Sequence, residues 1–146
     1  MPTYTVTSPK GQLTAAQRAT IARGITSTHS AATGAQGFFA QVVFHEVEPG
    51  TWFMGGKPLA DGQVFLCGHI RGGRPQAMKA RLLEGLRDVL MAGAEVPKHS
   101  VWCYLVELPP ANMVEYGYVL PEPGTESQWL ADMPAEDRER MEAVGK

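Results

Sequence analysis

A chain of 146 residues with 44% hydrophobic and 19% charged residues has enough apolar side chain for one core and too little length for two. We therefore expect one domain over residues 1–146, and this composition excludes disorder for most of it. Thirteen Lys plus Arg against 15 Asp plus Glu give a net charge of −2, which supplies no basic field for a nucleic-acid backbone. No apolar run approaches the roughly 18 to 20 residues of a membrane-spanning helix, and the opening MPTYTVTSPK lacks an apolar signal-peptide core. The expectation is a cytoplasmic protein with neither membrane nor nucleic acid as partner.

Residues 3–7, TYTVT, alternate β-branched and aromatic types and predict a first strand that ends at the turn Ser-Pro-Lys-Gly. Thr14 then reads as an N-cap with Gln17 completing a capping box, opening a helix to about Ala32. Ile21, Ala22, Ile25 and His29 form its inward stripe, and Gly34 its stop. FFAQVVFHEV, Phe38 to Val47, predicts a second strand, and Glu48 to Asp61 a Gly- and Pro-punctuated loop or hairpin. From Gln63 to Arg71 a third strand puts Val64, Leu66 and Ile70 on one side and Phe65, Cys67, His69 and Arg71 on the other. Pro75 fits the first position of a second helix with Leu82, Leu83, Leu86, Val89 and Leu90 buried. Val101 to Glu107 is a fourth strand; from Pro109 the chain reads as irregular, with a last helix over Pro134 to Ala143.

Strand, helix, strand thus occurs at about 2–47 and again at about 63–107, within pseudo-repeat halves of about 2–62 and 63–146. Right-handed crossovers predict an α/β (α+β) fold, a four-stranded, mainly parallel sheet with both helices on one face. The other face, left apolar and bare, is expected to pack against further subunits.

Pro2 becomes a chemical group only if Met1 is removed, which frees a secondary amine whose reference pKa of about 7.7 to 8.0 suits acid or base work; otherwise it is a strand-starting proline. Arg71 ends a strand and Arg74 precedes Pro75, so RGGR either binds a carboxylate or phosphate or forms a solvated turn. His29, near the end of its helix, is expected to be favoured in its protonated form by the dipole and able to donate to an anion, or else to be a bonded core histidine. Tyr104 could share with Glu115 the activation of a water, or the two could be sheet packing and surface charge. His45, His69 and His99 lack metal-ligand spacing, and Cys67 and Cys103 stand apart as ordinary thiols.

Taken in order, MPTY, THSAATG, FFAQVVFHEVEPG, HIRGGR, VWCYLVELP and MVEYGYVLPEPG resemble the tautomerase superfamily, and within it the cis-3-chloroacrylic acid dehalogenase family. The resemblance implies the tautomerase (MIF-like) fold, a homotrimer, and no metal or organic cofactor. It implies a site of Pro2, His29, Arg71, Arg74, Tyr104 and Glu115. His29, Arg71 and Arg74 would bind the substrate carboxylate, Glu115 with Tyr104 would activate water, and Pro2 would deliver a proton. The implied reaction is hydrolytic dehalogenation or hydration of small α,β-unsaturated carboxylates, cis-3-haloacrylate giving malonate semialdehyde. Alternatives are keto–enol tautomerisation of 2-oxo acids such as phenylenolpyruvate and hydration of acetylenic acids. Phe39 and Tyr118 depart from the family's pattern.

Overall fold

The computed structural model describes residues 2–59 and 62–145. Strand β1 (Thr3–Pro9) buries Tyr4, Val6 and Ser8 on one face by simple alternation. Helix α1 (Ala15–Thr33) starts at the expected capping box: Gln17 N–H donates to Thr14 Oγ1 at 3.1 Å, and Thr14 N–H to Gln17 Oε1 at 3.0 Å. It stops at Gly34, whose φ of 73° fits the left-handed cap that glycine adopts without a Cβ clash. Ile21, Ile25 and His29 are its buried residues, as the stripe predicts.

Strand β2 spans only Gln41–Val47, because Gly37–Phe39 winds into a single 3₁₀ turn. The strand expected from Phe38 therefore starts three residues late; apolar content there reflects packing of the Phe38 and Phe39 rings, 4.4 Å apart, rather than strand pairing. The Gly-punctuated segment makes a small hairpin of β3 (Phe53–Met54) and β4 (Lys57–Pro58); Asp61, the end of the predicted loop, lies outside the described residues. Strand β5 (Val64–Arg71) leads into α2 (Gln76–Ala94), and β6 (Val101–Leu108) follows. Pro75 caps α2 from outside instead of occupying its first turn: its ψ of 145° is extended, so the helix opens one residue later.

The sheet order is β2-β1-β5-β6, with β1/β2 and β5/β6 parallel and the central β1/β5 pair antiparallel. This is the duplicated βαβ arrangement predicted above. Leu82, Leu86 and Leu90 of α2 join Ile21, Ile25, Tyr4, Val6, Val64, Leu66 and Ile70 in one core between the helices and the sheet. The two helices approach closely because a Cβ at Gly93 would lie 2.4 Å from Ile21 and one at Gly85 2.6 Å from Thr28.

Beyond β6 the chain is more ordered than its sequence suggests. A 3₁₀ turn (Pro110–Asn112) and a hairpin of β7 (Val114–Glu115) and β8 (Tyr118–Val119) precede two short helices, α3 (Glu126–Asp132) and α4 (Ala135–Glu142). Only α4 was expected. Two-residue strands and a seven-residue helix carry too little periodicity to be read locally.

On the sheet face away from the helices, Trp102, Tyr104 and Val106 remain 45%, 52% and 40% exposed. No described helix is long and apolar enough to cross a membrane.

Candidate active site

Two neighbouring cavities meet at Phe39. One, of about 390 Å³, is lined by Arg71, Arg74, Gln36, Met78 and Glu126 among others. The second, of about 700 Å³, is lined by Glu115, Thr3, Gln41, His69 and Tyr116.

Arg71 reaches the first cavity from the end of β5, and Arg74 from the turn that enters α2, so the strand-to-helix placement read from RGGR is what brings them together. They differ in freedom. Arg71 is buried, donates from Nη1 to the carbonyl of Pro121 at 3.0 Å, and pairs through Nη2 with the Glu126 carboxylate. That bond holds the Glu126 carboxyl below its ordinary range. Among the described residues Arg74 has no ion pair; its Nη1 lies 3.9 Å from Met78 Sδ, and burial and the neighbouring Arg71 disfavour its charge. Among the described residues the Nε atoms of both arginines are buried without a hydrogen-bond partner, so the fold has desolvated two donors at this cavity without satisfying them.

His29 is inside, as its stripe requires, but the protonated form expected from the helix dipole is not favoured. Burial, followed by the nearby Arg74 charge, lowers its pKa from 6.5 to about 3, so desolvation and repulsion outweigh the dipole. Its Nδ1 lies 2.7 Å from the Tyr4 hydroxyl. Burial of Tyr4 pushes its own pKa up, so the phenol stays protonated and donates to Nδ1. The neutral ring must then carry its hydrogen on Nε2, which is buried without a partner among the described residues. His29 can still donate to an anion, as a neutral imidazole. Tyr4 was missed by sequence reasoning, although a tyrosine on a fully buried strand face signals that its hydroxyl has a polar partner. The ring fits because a Cβ at Gly68, its register partner on β5, would stand 2.5 Å from Tyr4 Cε1.

Glu115 sits at the last paired position of β7, opposite Tyr118. Tyr116 and Gly117 close the hairpin with φ of 53° and 87°, the positive pair of a type I′ turn. Tyr116 is fixed there by donating to the Phe38 carbonyl at 2.5 Å. Burial raises the Glu115 carboxyl from its ordinary value while the Arg71 charge opposes the shift. The carboxyl is thus half-buried on a cavity wall and tuned toward holding a proton. Pro2 is buried; its carbonyl accepts from Gln41 N–H at 3.0 Å, and Gln41 and Thr3, the next residue in the chain, both line the Glu115 cavity. Met1 lies outside the described residues.

Tyr104 is not part of this assembly. It lies on the bare sheet face against Phe65, ring centroids 5.1 Å apart, and lines neither cavity. One chain therefore places Arg71 and Arg74 on one cavity and Glu115 on its neighbour, with His29 buried near Arg74 and Pro2 bonded to Gln41 of the Glu115 cavity; Pro2, His29 and Tyr104 line neither cavity.

A family model described as "Putative oxalocrotonate tautomerase enzyme" matches residues 1–133. The chain belongs to this tautomerase family. Among solved structures it is similar to N1, a member of the cis-3-chloroacrylic acid dehalogenase family, at 34% identity and a TM-score of 0.91 over 96% of this chain and 98% of that one. It is also similar to Ps01740, at 34% identity and a TM-score of 0.73 over 77% of this chain and 99% of that one. A fused 4-OT that forms an asymmetric trimer shares the fold, at 20% identity and a TM-score of 0.75 over 80% and 94% of the two chains. No curated protein sequence matches the chain.

Proposed function

We propose that this protein is a cofactor-independent hydratase and hydrolytic dehalogenase of small α,β-unsaturated carboxylates, cis-3-haloacrylates in particular. The observation that carries this reading is the pairing of an arginine cavity with unsatisfied N–H groups and an adjacent cavity holding Glu115, whose carboxyl is raised by burial. Arg74, the free N–H groups of Arg71 and His29 Nε2–H bind the substrate carboxylate. Their positive field draws electron density from C2=C3 and makes C3 electrophilic. Glu115 takes a proton from water as its oxygen bonds to C3, and the ammonium of Pro2, freed by loss of Met1, protonates C2. The halohydrin so formed expels halide as its hydroxyl loses a proton, leaving malonate semialdehyde, halide and a proton.

Tyr104 enters this scheme from a second copy of the chain. The exposed Trp102, Tyr104 and Val106 stripe supports a homotrimer packed through the bare sheet face, which would bring one subunit's phenol to another's Glu115.

Intact mass of the purified protein, with cis-3-chloroacrylate, propiolate and phenylenolpyruvate followed by NMR, tests the proposal. Loss of Met1 together with chloride release and malonate semialdehyde is expected, and Glu115→Gln should reduce that turnover at least 100-fold, as removal of a general base does. Ketonisation of phenylenolpyruvate that depends on Pro2 but not on Glu115 would instead establish a tautomerase. Retained Met1 with no turnover would overturn both in favour of an anion-binding role.

A further inference from the structure

We propose that Glu126 is the charge selector of the arginine cavity, making it accept small monocarboxylates and discriminate against dicarboxylates. The proposal rests on the reading of that cavity as the carboxylate subsite. The charged residues of its lining are Arg71, Arg74 and Glu126, a formal balance of one positive charge. One anionic carboxylate neutralises it.

Glu126 is held at this wall by both of its oxygens. Oε1 pairs with Arg71 Nη2, and Oε2 accepts from Gly124 N–H at 2.8 Å. The other terminal nitrogen of Arg71 is engaged by the Pro121 carbonyl at 3.0 Å, so the guanidinium and the carboxylate fix each other. Arg71 is nearly covered while the Glu126 side chain remains 41% exposed, which leaves the negative member of the pair toward the opening. Arg74 has no such partner among the described residues. The neighbouring Glu107 favours the Arg74 charge from outside the lining, and its own charge is paired with Lys79 Nζ at 2.6 Å. A first carboxylate therefore engages Arg74 and the open Nε–H groups. A second on the same ligand would meet Glu126 with no unmatched positive charge left to receive it.

Isothermal calorimetry of the wild-type protein at neutral pH with propionate, a monoanion, and succinate, a dianion, saturated acids that cannot be hydrated, reads the selection without turnover. Propionate is expected to bind more tightly, and Glu126→Gln should narrow the preference about tenfold, mainly by tightening succinate. Glu126→Asp, which keeps the charge, should retain the preference, and Glu136→Gln, which removes an exposed charge paired to Arg140 elsewhere, should leave it unchanged. Equal binding of the two acids by the wild type, or a preference unaltered in folded Glu126→Gln, would overturn the selector. Propionate binding indifferent to Arg74→Gln would overturn the subsite reading itself, and the selector with it.

Discussion

His29 is held neutral by burial and by Arg74, and its donor nitrogen is set by Tyr4, so its contribution to stability depends on pH. The folded pKa of about 3 lies below the reference value of 6.5, so between these values the unfolded chain binds the proton and the folded chain does not. Stability contributed by this residue is complete above pH 6.5 and falls as pH drops toward 3. At pH 4 the loss amounts to about 3 kcal/mol. Denaturant melts of the wild type and His29→Gln from pH 7 to pH 4 should show a shallower decline in the variant; parallel declines would remove His29 as the cause. The positions of His29, Arg71 and Arg74 were legible because each follows from a local rule, the helical stripe for one and the strand-to-helix turn for the others. The protonation state of His29 and the Glu126 partner of Arg71 were not, since both depend on groups that only the fold brings near: Arg74 lies 45 residues beyond His29 in the chain, and Glu126 lies 55 residues beyond Arg71.

Helix α1 shows how far an element can be read before it is seen. Its start is set by two side chains three residues apart, and its buried face by a 3.6-residue period, so both ends and the inward residues followed from the sequence. Thr14→Ala should cost about 1 kcal/mol of stability, and most of that cost should persist when Gln17→Ala is already present, because Thr14 Oγ1 accepts from the Gln17 backbone N–H, which alanine keeps. A thermal-melt double-mutant cycle measures this; a Thr14→Ala cost that vanishes in the Gln17→Ala background would mean that the cap acts through the side-chain pair alone. The segment after β6 offered no comparable signal. The β7–β8 hairpin is held by a tight turn with Tyr116 in the left-handed region, a conformation an aromatic residue adopts only when outside contacts fix it. Those contacts, the Phe38 carbonyl and the Phe39 ring, belong to a turn far away in the chain that was itself expected to be strand.

At the scale of the molecule, the duplicated βαβ plan puts both helices on one side of the sheet and leaves the other side to be covered. Its register places Trp102, Tyr104 and Val106 on that bare side of the edge strand β6, at alternate positions. An isolated chain would keep these side chains in water, at a cost that association removes. In the isolated chain Tyr104 lines neither cavity. Assembly and catalysis are therefore coupled in the proposed mechanism, and one substitution tests the coupling. Sedimentation of the wild type should give three times the 15.8 kDa chain mass. Trp102→Lys, at a surface that an isolated chain would solvate without penalty, should sediment as the monomer with its circular dichroism unchanged and its hydration rate lowered to that of Tyr104→Phe or below. A monomeric wild type with full activity would refute the trimer, and a trimeric Trp102→Lys would place the interface elsewhere. A monomeric variant that keeps its rate would show that the site is complete in one chain and that Tyr104 is only packing.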